Sequence, residues 1–302
     1  MTSFDTDLRA AERLADIAAS TPQDGAVLAA AVAAVRLTGR HLLATFNERT
    51  RTPDNLDRLV HAIHANDDAS LTVARRLLER AVPAAGWVDD ELEGGELPHG
   101  DWWIFDAVEG NVNHVHGLSE WGISATLVRD GAPQLTAVYE PVADRLYTAV
   151  RGSGLAAVNG EPLRPSTKTE LKAAIVTTGQ ARPGESAQTY QRIGTSVTAM
   201  LNAALVVRMT VPATFQLGLV AGGQTDAFWQ HSDVRSGLAA GALLVSEAGG
   251  SVTDLQGRPW TFASKDFLAC APGIRGEALS VLGEVADEVA EEVAGKVAGE
   301  VA

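Results

Sequence analysis

The chain has 302 residues, 46% of them hydrophobic, with mean hydropathy near zero. That is enough for one large globular domain or two modest ones. The net charge of −14, from 24 basic and 38 acidic residues, excludes a basic footprint for nucleic acid and argues against an anionic membrane surface. A phosphate-handling protein of this charge needs bound cations or a local basic pocket. The single cysteine, Cys270, sits in the apolar run FLACAP and cannot form an internal disulfide, so a core position is expected.

Residues 1–24 read as a polar, Ala-rich leader without the basic-then-apolar pattern of a signal peptide. No apolar run reaches the eighteen or so residues that span a bilayer, and a cytoplasmic protein is expected. A helix is predicted over 25–46, with Leu28, Val32, Val35, Leu42, Leu43 and Phe46 at helical spacing. A second is predicted over 59–81, with Leu71, Ala74, Leu77 and Leu78 as its core face and Pro83 as its stop. Gly86-Trp87-Val88 reads as a short strand leading to Asp89-Asp90-Glu91.

The stretch DWWIFDAVEGNVNHVHG, residues 101–117, organises the rest. Trp102 to Phe105 read as a buried strand, and a sharp turn is expected over Asp106 to Gly110. A strand that ends on one acid, with a second acid three residues on and a Gly behind it, suits a hard-oxygen cation site. Beyond it, strands at 123–128, 135–139 and 146–150 are separated by Asp130-Gly131, by Pro141 with Asp144, and by further turns at Gly152–Gly154 and Asn159-Gly160. This is an antiparallel meander. After about Lys168 strands and helices alternate. Strands are predicted at 173–178, 205–209, 252–254 and 267–271, and helices at 184–203, 213–222 and 237–248. From Glu284 a four-residue step of Val285, Val289, Val293, Val297 and Val301 reads as a weak self-associating helix or a solubilising tail.

Asp106-Ala107-Val108-Glu109-Gly110-Asn111-Val112-Asn113, followed by His116-Gly117, resembles the metal motif of the inositol monophosphatase superfamily. The run from Ser236 to Gly250, ending Glu247-Ala248-Gly249-Gly250, resembles its second signature. The resemblance covers residues 25 to 275 and implies an α/β fold, a layered αβαβα sandwich of two lobes. The lobes are expected at 25–167 and 168–276, with a tail at 277–302.

The resemblance implies further roles. A first Mg2+ would be held by Asp90, with Glu91 beside it, by Asp106 and by the Val108 carbonyl. A second would use Asp106 and Glu109, but Gly237 stands where the family carries an Asp. Asp233 is either its substitute or a helix cap. Asn111 takes the place of a Thr that orients water, and Asp67 keeps an upstream acid. Gly110, Asn111, Arg208 and Gln230 fall at substrate-contacting positions. The segment Arg208 to Thr214, with Pro212, replaces an Arg-x-x-Gly-Ser/Thr-Ala-Ala run.

Five of the seven histidines, His61, His64, His114, His116 and His231, fall in motif segments. His61, His64 and His114 are candidate acid–base groups. The alternative is that they are ordinary polar replacements, with His116 structural.

Three readings follow: a metal-dependent phosphomonoesterase with a weakened second metal site, an elimination or other acid–base enzyme on a phosphorylated or sulfated metabolite, or a non-catalytic pseudo-phosphatase partner. The expected cofactor is Mg2+ as one ion rather than two or three, with Mn2+ as the alternative. The expected partners are a small phosphate or sulfate ester and a second subunit, identical or related, with neither nucleic acid nor membrane. The expected phosphatase activity is low, and Gly237→Asp is expected to raise it.

Overall fold

The computed structural model describes residues 7–9, 12, 23–46, 52–88, 95–181, 184–231 and 235–283, with the backbone alone at 66–70, 235 and 236. The helix α1 (Asp24–Leu43) is followed by α2 (Leu56–Ala81), whose N-cap Asn55 accepts from the Arg58 N–H at 3.0 Å. Val27, Ala30, Ala34, Val35 and Leu42 of α1 pack with Ala74, Leu77 and Leu78 of α2. Leu43, expected in the core, is 38% exposed, and the helix ends there rather than at Phe46. Among the described residues α1 alone is long and apolar enough to cross a bilayer, though Arg36 and Arg40 interrupt its apolar run. Nine of its residues are buried within the fold.

The first sheet runs in chain order: β1 (Gly86–Trp87), β2 (Asp101–Glu109), β3 (Gly122–Arg129), β4 (Ala132–Glu140), β5 (Arg145–Val150), β6 (Ala156–Val158) and β7 (Glu161–Pro162). Only β1 and β2 pair in parallel. The Asp130-Gly131 and Asn159-Gly160 turns have positive φ at both residues, as a tight hairpin of matching twist requires. A short helix, α3 (Asn111–Val115), leaves the end of β2.

The second sheet contains β8 (Ile175–Thr178), β9 (Val206–Met209), β10 (Ala227–Gln230), β11 (Ser251–Thr253) and β12 (Phe267–Cys270), in the order β11-β12-β10-β8-β9. Its helices are α4 (Ala187–Ala203), α5 (Ala213–Ala221), α6 (Arg235–Ala248) and α7 (275–283). The central strand β10, the run Ala-Phe-Trp-Gln, was not among the expected strands. Ala278 and Leu282 of α7 are fully buried, so the core extends past residue 276.

The layers follow from which faces are apolar. Trp103, Phe105, Ile123, Ala125 and Leu127 point to α1 and α2, while Val138 and Ala149 point to α5 and α6. Phe228, Phe267 and Ala269 pack on the other side of α5 and α6. Trp229 and Leu268 meet Met200 of α4 and Leu282 of α7. Both faces of each sheet are covered, which is why these strands read as near-continuous apolar runs. The result is the αβαβα sandwich.

Asp226 staples the link between the sheets. Its fully buried carboxylate accepts from Ser166 Oγ at 2.5 Å, Lys168 Nζ at 2.7 Å and the Ile175 N–H at 2.7 Å. A buried charge tolerates this position because it is paired and hydrogen-bonded.

Candidate metal-binding active site

Asp106 lies opposite Ser124 and Glu109 opposite Gly122, so three steps on β2 span two on β3. The extra residue makes a bulge. Strand side chains alternate, and regular pairing would send Asp106 and Glu109 to opposite faces. The bulge puts both on the face covered by α5 and α6, where their side chains hydrogen-bond to each other. The expected sharp turn at Asp106 is thus a bulged strand that continues through Glu109. The Val108 N–H donates to Asp106 Oδ1 at 3.0 Å, which orients that carboxylate.

Glu109 is 3% exposed. Ser124 Oγ and Thr214 Oγ1 both donate to its Oε1, at 2.8 and 2.7 Å. Burial raises the Glu109 carboxyl above the usual range, outweighing the hydrogen bonds from Thr214, Ser124 and Asp106 that lower it. Two carboxylates in contact share a proton or a cation. Their hard oxygen donors and matched placement fit a divalent ion such as Mg2+. Among the described residues no third His, Cys, Asp or Glu joins them. Asp90, Glu91 and Asp233 lie outside the described residues, as does the side chain of Asp67. The short strand β1 runs parallel to β2, with the Val88 N–H bonded to Trp103 O, so it points toward the Asp106 end.

Gly110 closes β2 with φ +71°. A Cβ there would lie 2.8 Å from Glu120 O and 3.0 Å from Pro212 Cδ, so only glycine fits. Pro212 is packed over the turn. Asn111 Nδ2 donates to Ile63 O at 3.0 Å, tying the turn to α2. Asn113 Nδ2 donates to Glu120 O at 2.8 Å and Val211 O at 3.0 Å, clamping α3 between two loops. Beside it a cleft of about 350 Å3 is lined by Leu118, Glu120, Gln180, Met209, Thr210 and Val211.

The other candidates are scattered. His61 and His64 are exposed on α2. His114 is buried edge-on against Trp121, ring centroids 4.6 Å apart, and beside Phe46 at 5.4 Å. Burial lowers its pKa, partly offset by a hydrogen bond with the Leu42 backbone. It packs in the core with Trp121 and Phe46. His116 Nδ1 bonds Val112 O at 2.7 Å. Arg208 is exposed on β9, and Gln230 is 8% exposed at the end of β10.

Residues 25–291 match the model of the inositol monophosphatase family. The chain belongs to the inositol monophosphatase family. It is 30% identical over 235 residues to the inositol-1-monophosphatase of Rhizobium meliloti, covering 77% of this chain and 86% of the relative. It is 31% identical to a probable inositol 1-monophosphatase of Mycobacterium tuberculosis, over 73% of this chain and 82% of that one. A Nus factor SuhB of Xylella fastidiosa is also 31% identical, over 75% and 81%. Among solved structures the extragenic suppressor protein suhB of Bartonella henselae superposes with a TM-score of 0.70. It is 26% identical, and the match covers 85% of this chain and 98% of that one. The Thermotoga maritima IMPase gives 0.68 at 25% identity, covering 85% and 97%. The inositol monophosphatase family acts on small phosphate esters and is typically metal-dependent.

Within this family site the sequence reading named Asp106 and Glu109 and missed Ser124 and Thr214. Ser124 stands opposite Asp106 in register, and Thr214 lies 105 positions from Glu109. A hydroxyl in the Arg208–Thr214 segment where the family motif carries Ala was the available signal.

Proposed function

We propose that this chain is a Mg2+-dependent phosphomonoesterase acting on a small phosphate ester, with Mn2+ as an alternative ion. The observation that carries the reading is the bulge that brings Asp106 and Glu109 into side-chain contact on one face. Asp106, Glu109 and the Val108 carbonyl would hold the ion, with Asp90 or Glu91 completing the set. When bound, the cation supplies charge stabilisation for the phosphoryl oxygens and a more acidic water.

The chain's own residues do the positioning. Ser124 and Thr214 hold one Glu109 oxygen, and the Val108 N–H holds one Asp106 oxygen, so neither acid needs to reorganise. In this reading Asn111, anchored on Ile63 O, places the attacking water and Asp67 receives its proton. Arg208 and Gln230 contact the substrate, and the cleft beside Asn113 supports a site for a small polar ester. The histidine-based elimination reading draws no support, since His61 and His64 are exposed and His114 is in the core.

Assembly as a homodimer or with a related subunit, in the cytoplasm, belongs to the same reading. The outward Leu205, Val206 and Met209 at the edge strand β9 support the assembly. The test is phosphate release from a panel of sugar, inositol and nucleotide monophosphates with Mg2+ and with EDTA. Activity is expected only with the cation, and Asp106→Asn is expected to lower kcat by at least a hundredfold. Equal rates in EDTA or in Asp106→Asn would reject the reading.

A further inference from the structure

The carboxylate of Glu109 reaches past Asp106 to the N-terminal turns of α5 and α6. There Thr214 Oγ1 lies 2.7 Å from Glu109 Oε1 and 3.2 Å from Gly237 O. Thr214 is 1% exposed and Ser124 is 1% exposed, and each buried hydroxyl donates to this acid. A Cβ built on Gly237 would lie 3.1 Å from the same Thr214 Oγ1 and 3.5 Å from Ala213 Cβ. A side chain at 237 therefore crowds the hydroxyl that holds Glu109. A threonine has one O–H proton to give.

We propose that Glu109, Thr214 and Gly237 are one exchanged set: a long acid from β2, held by the Thr214 hydroxyl, takes the place that a carboxylate on α6 would fill. The absent side chain at 237 is then not a lesion to be repaired. It leaves room for the Thr214 hydroxyl that holds Glu109. An aspartate added at 237 meets a hydroxyl already committed to Glu109 and sets a second anion beside a buried one. The expectation that Gly237→Asp raises activity is reversed. Repair needs three changes together, Glu109→Asp, Thr214→Ala and Gly237→Asp, because shortening the acid and removing its donor vacate the space. The inference rests on the metal-site reading only for its cation count. The steric and hydrogen-bond exchange stands without it.

The test is a cycle with two readouts. Gly237→Asp is made in the native chain and in the Glu109→Asp, Thr214→Ala background. Tm is measured in EDTA, and Mn2+ alone is titrated calorimetrically as the probe ion. In the native background Gly237→Asp is expected to lower Tm by roughly 5 °C or more without adding an ion. In the doubly changed background it is expected to lower Tm by less than about 2 °C and to add one Mn2+ per chain. Gly237→Asn in both backgrounds gives the same comparison without the charge, and serves if the Asp variants do not fold. Equal Tm losses in the two backgrounds, or an added ion from Gly237→Asp alone, would overturn the exchange. Unequal losses with no Mn2+ bound by any variant would uphold the exchange and reject the metal site. Equal losses with Mn2+ bound would do the reverse.

Discussion

His231 shows how one buried ring sets a pH limit. It follows the last residue of β10, and burial, with Arg192 adding to it, holds its pKa down to about 4. An unfolded histidine titrates near 6.5. The folded state therefore disfavours the proton. Its stability is intact above about pH 6.5, falls as pH drops through that value, and stops falling near 4. Between pH 7.5 and 5 the loss from this one group is on the order of 2 kcal/mol. Urea unfolding at the two pH values should show it, and His231→Gln should make the pH dependence shallower by that amount. An unchanged slope would place the acid sensitivity elsewhere. His114 has a pKa shifted in the same direction by burial between Trp121 and Phe46. Two motif histidines are thus neutral packing groups, and their identity alone did not reveal it.

At the scale of elements, the site is a bulge followed by a five-residue helix. The bulge turns Glu109 toward α5, and α3 is too short to hold itself without outside partners. Asn113 supplies them by donating to Glu120 O and Val211 O. Asn113→Ala leaves two acceptors without this donor, at a cost of about 1–3 kcal/mol. Thermal unfolding should register a Tm lower by roughly 5 °C, and hydrogen exchange should quicken around Trp121 and Val211. A variant with native Tm would show that other contacts carry α3. The helices α1, α2 and α6 were legible because each has a helical apolar period or a long apolar run. The strand β10 and helix α3 were not read, although strands as short, β9 and β12, were.

For the whole molecule, α5 and α6 are packed between two sheets, and the order β11-β12-β10-β8-β9 leaves β9 at an open edge. Leu205 is 64% exposed and Met209 is 52% exposed there, with Leu201 nearby at 62%. Unpaired edges with apolar side chains favour association. Light scattering is expected to give twice the chain mass, and Leu205→Asp with Val206→Asp is expected to give a monomer with unchanged Mg2+ affinity. A monomeric native chain would remove the assembly from the functional reading.

Local pattern by itself determined the meander, its Asp-Gly and Asn-Gly turns, the two amphipathic helices and the buried strand that leads into the acidic motif. Those features depend on neighbours within a few positions, which alternation and turn chemistry report directly. Cys270 likewise lies in the core, as its apolar context implied. Only the tertiary structure decided where Glu109 points and what holds it. Its donors lie 15 and 105 positions away, and one inserted residue on β2 reverses the face an acid occupies. The surroundings of Gly237 are likewise tertiary: a Cβ there would lie 3.1 Å from Thr214 Oγ1, the hydroxyl that holds Glu109.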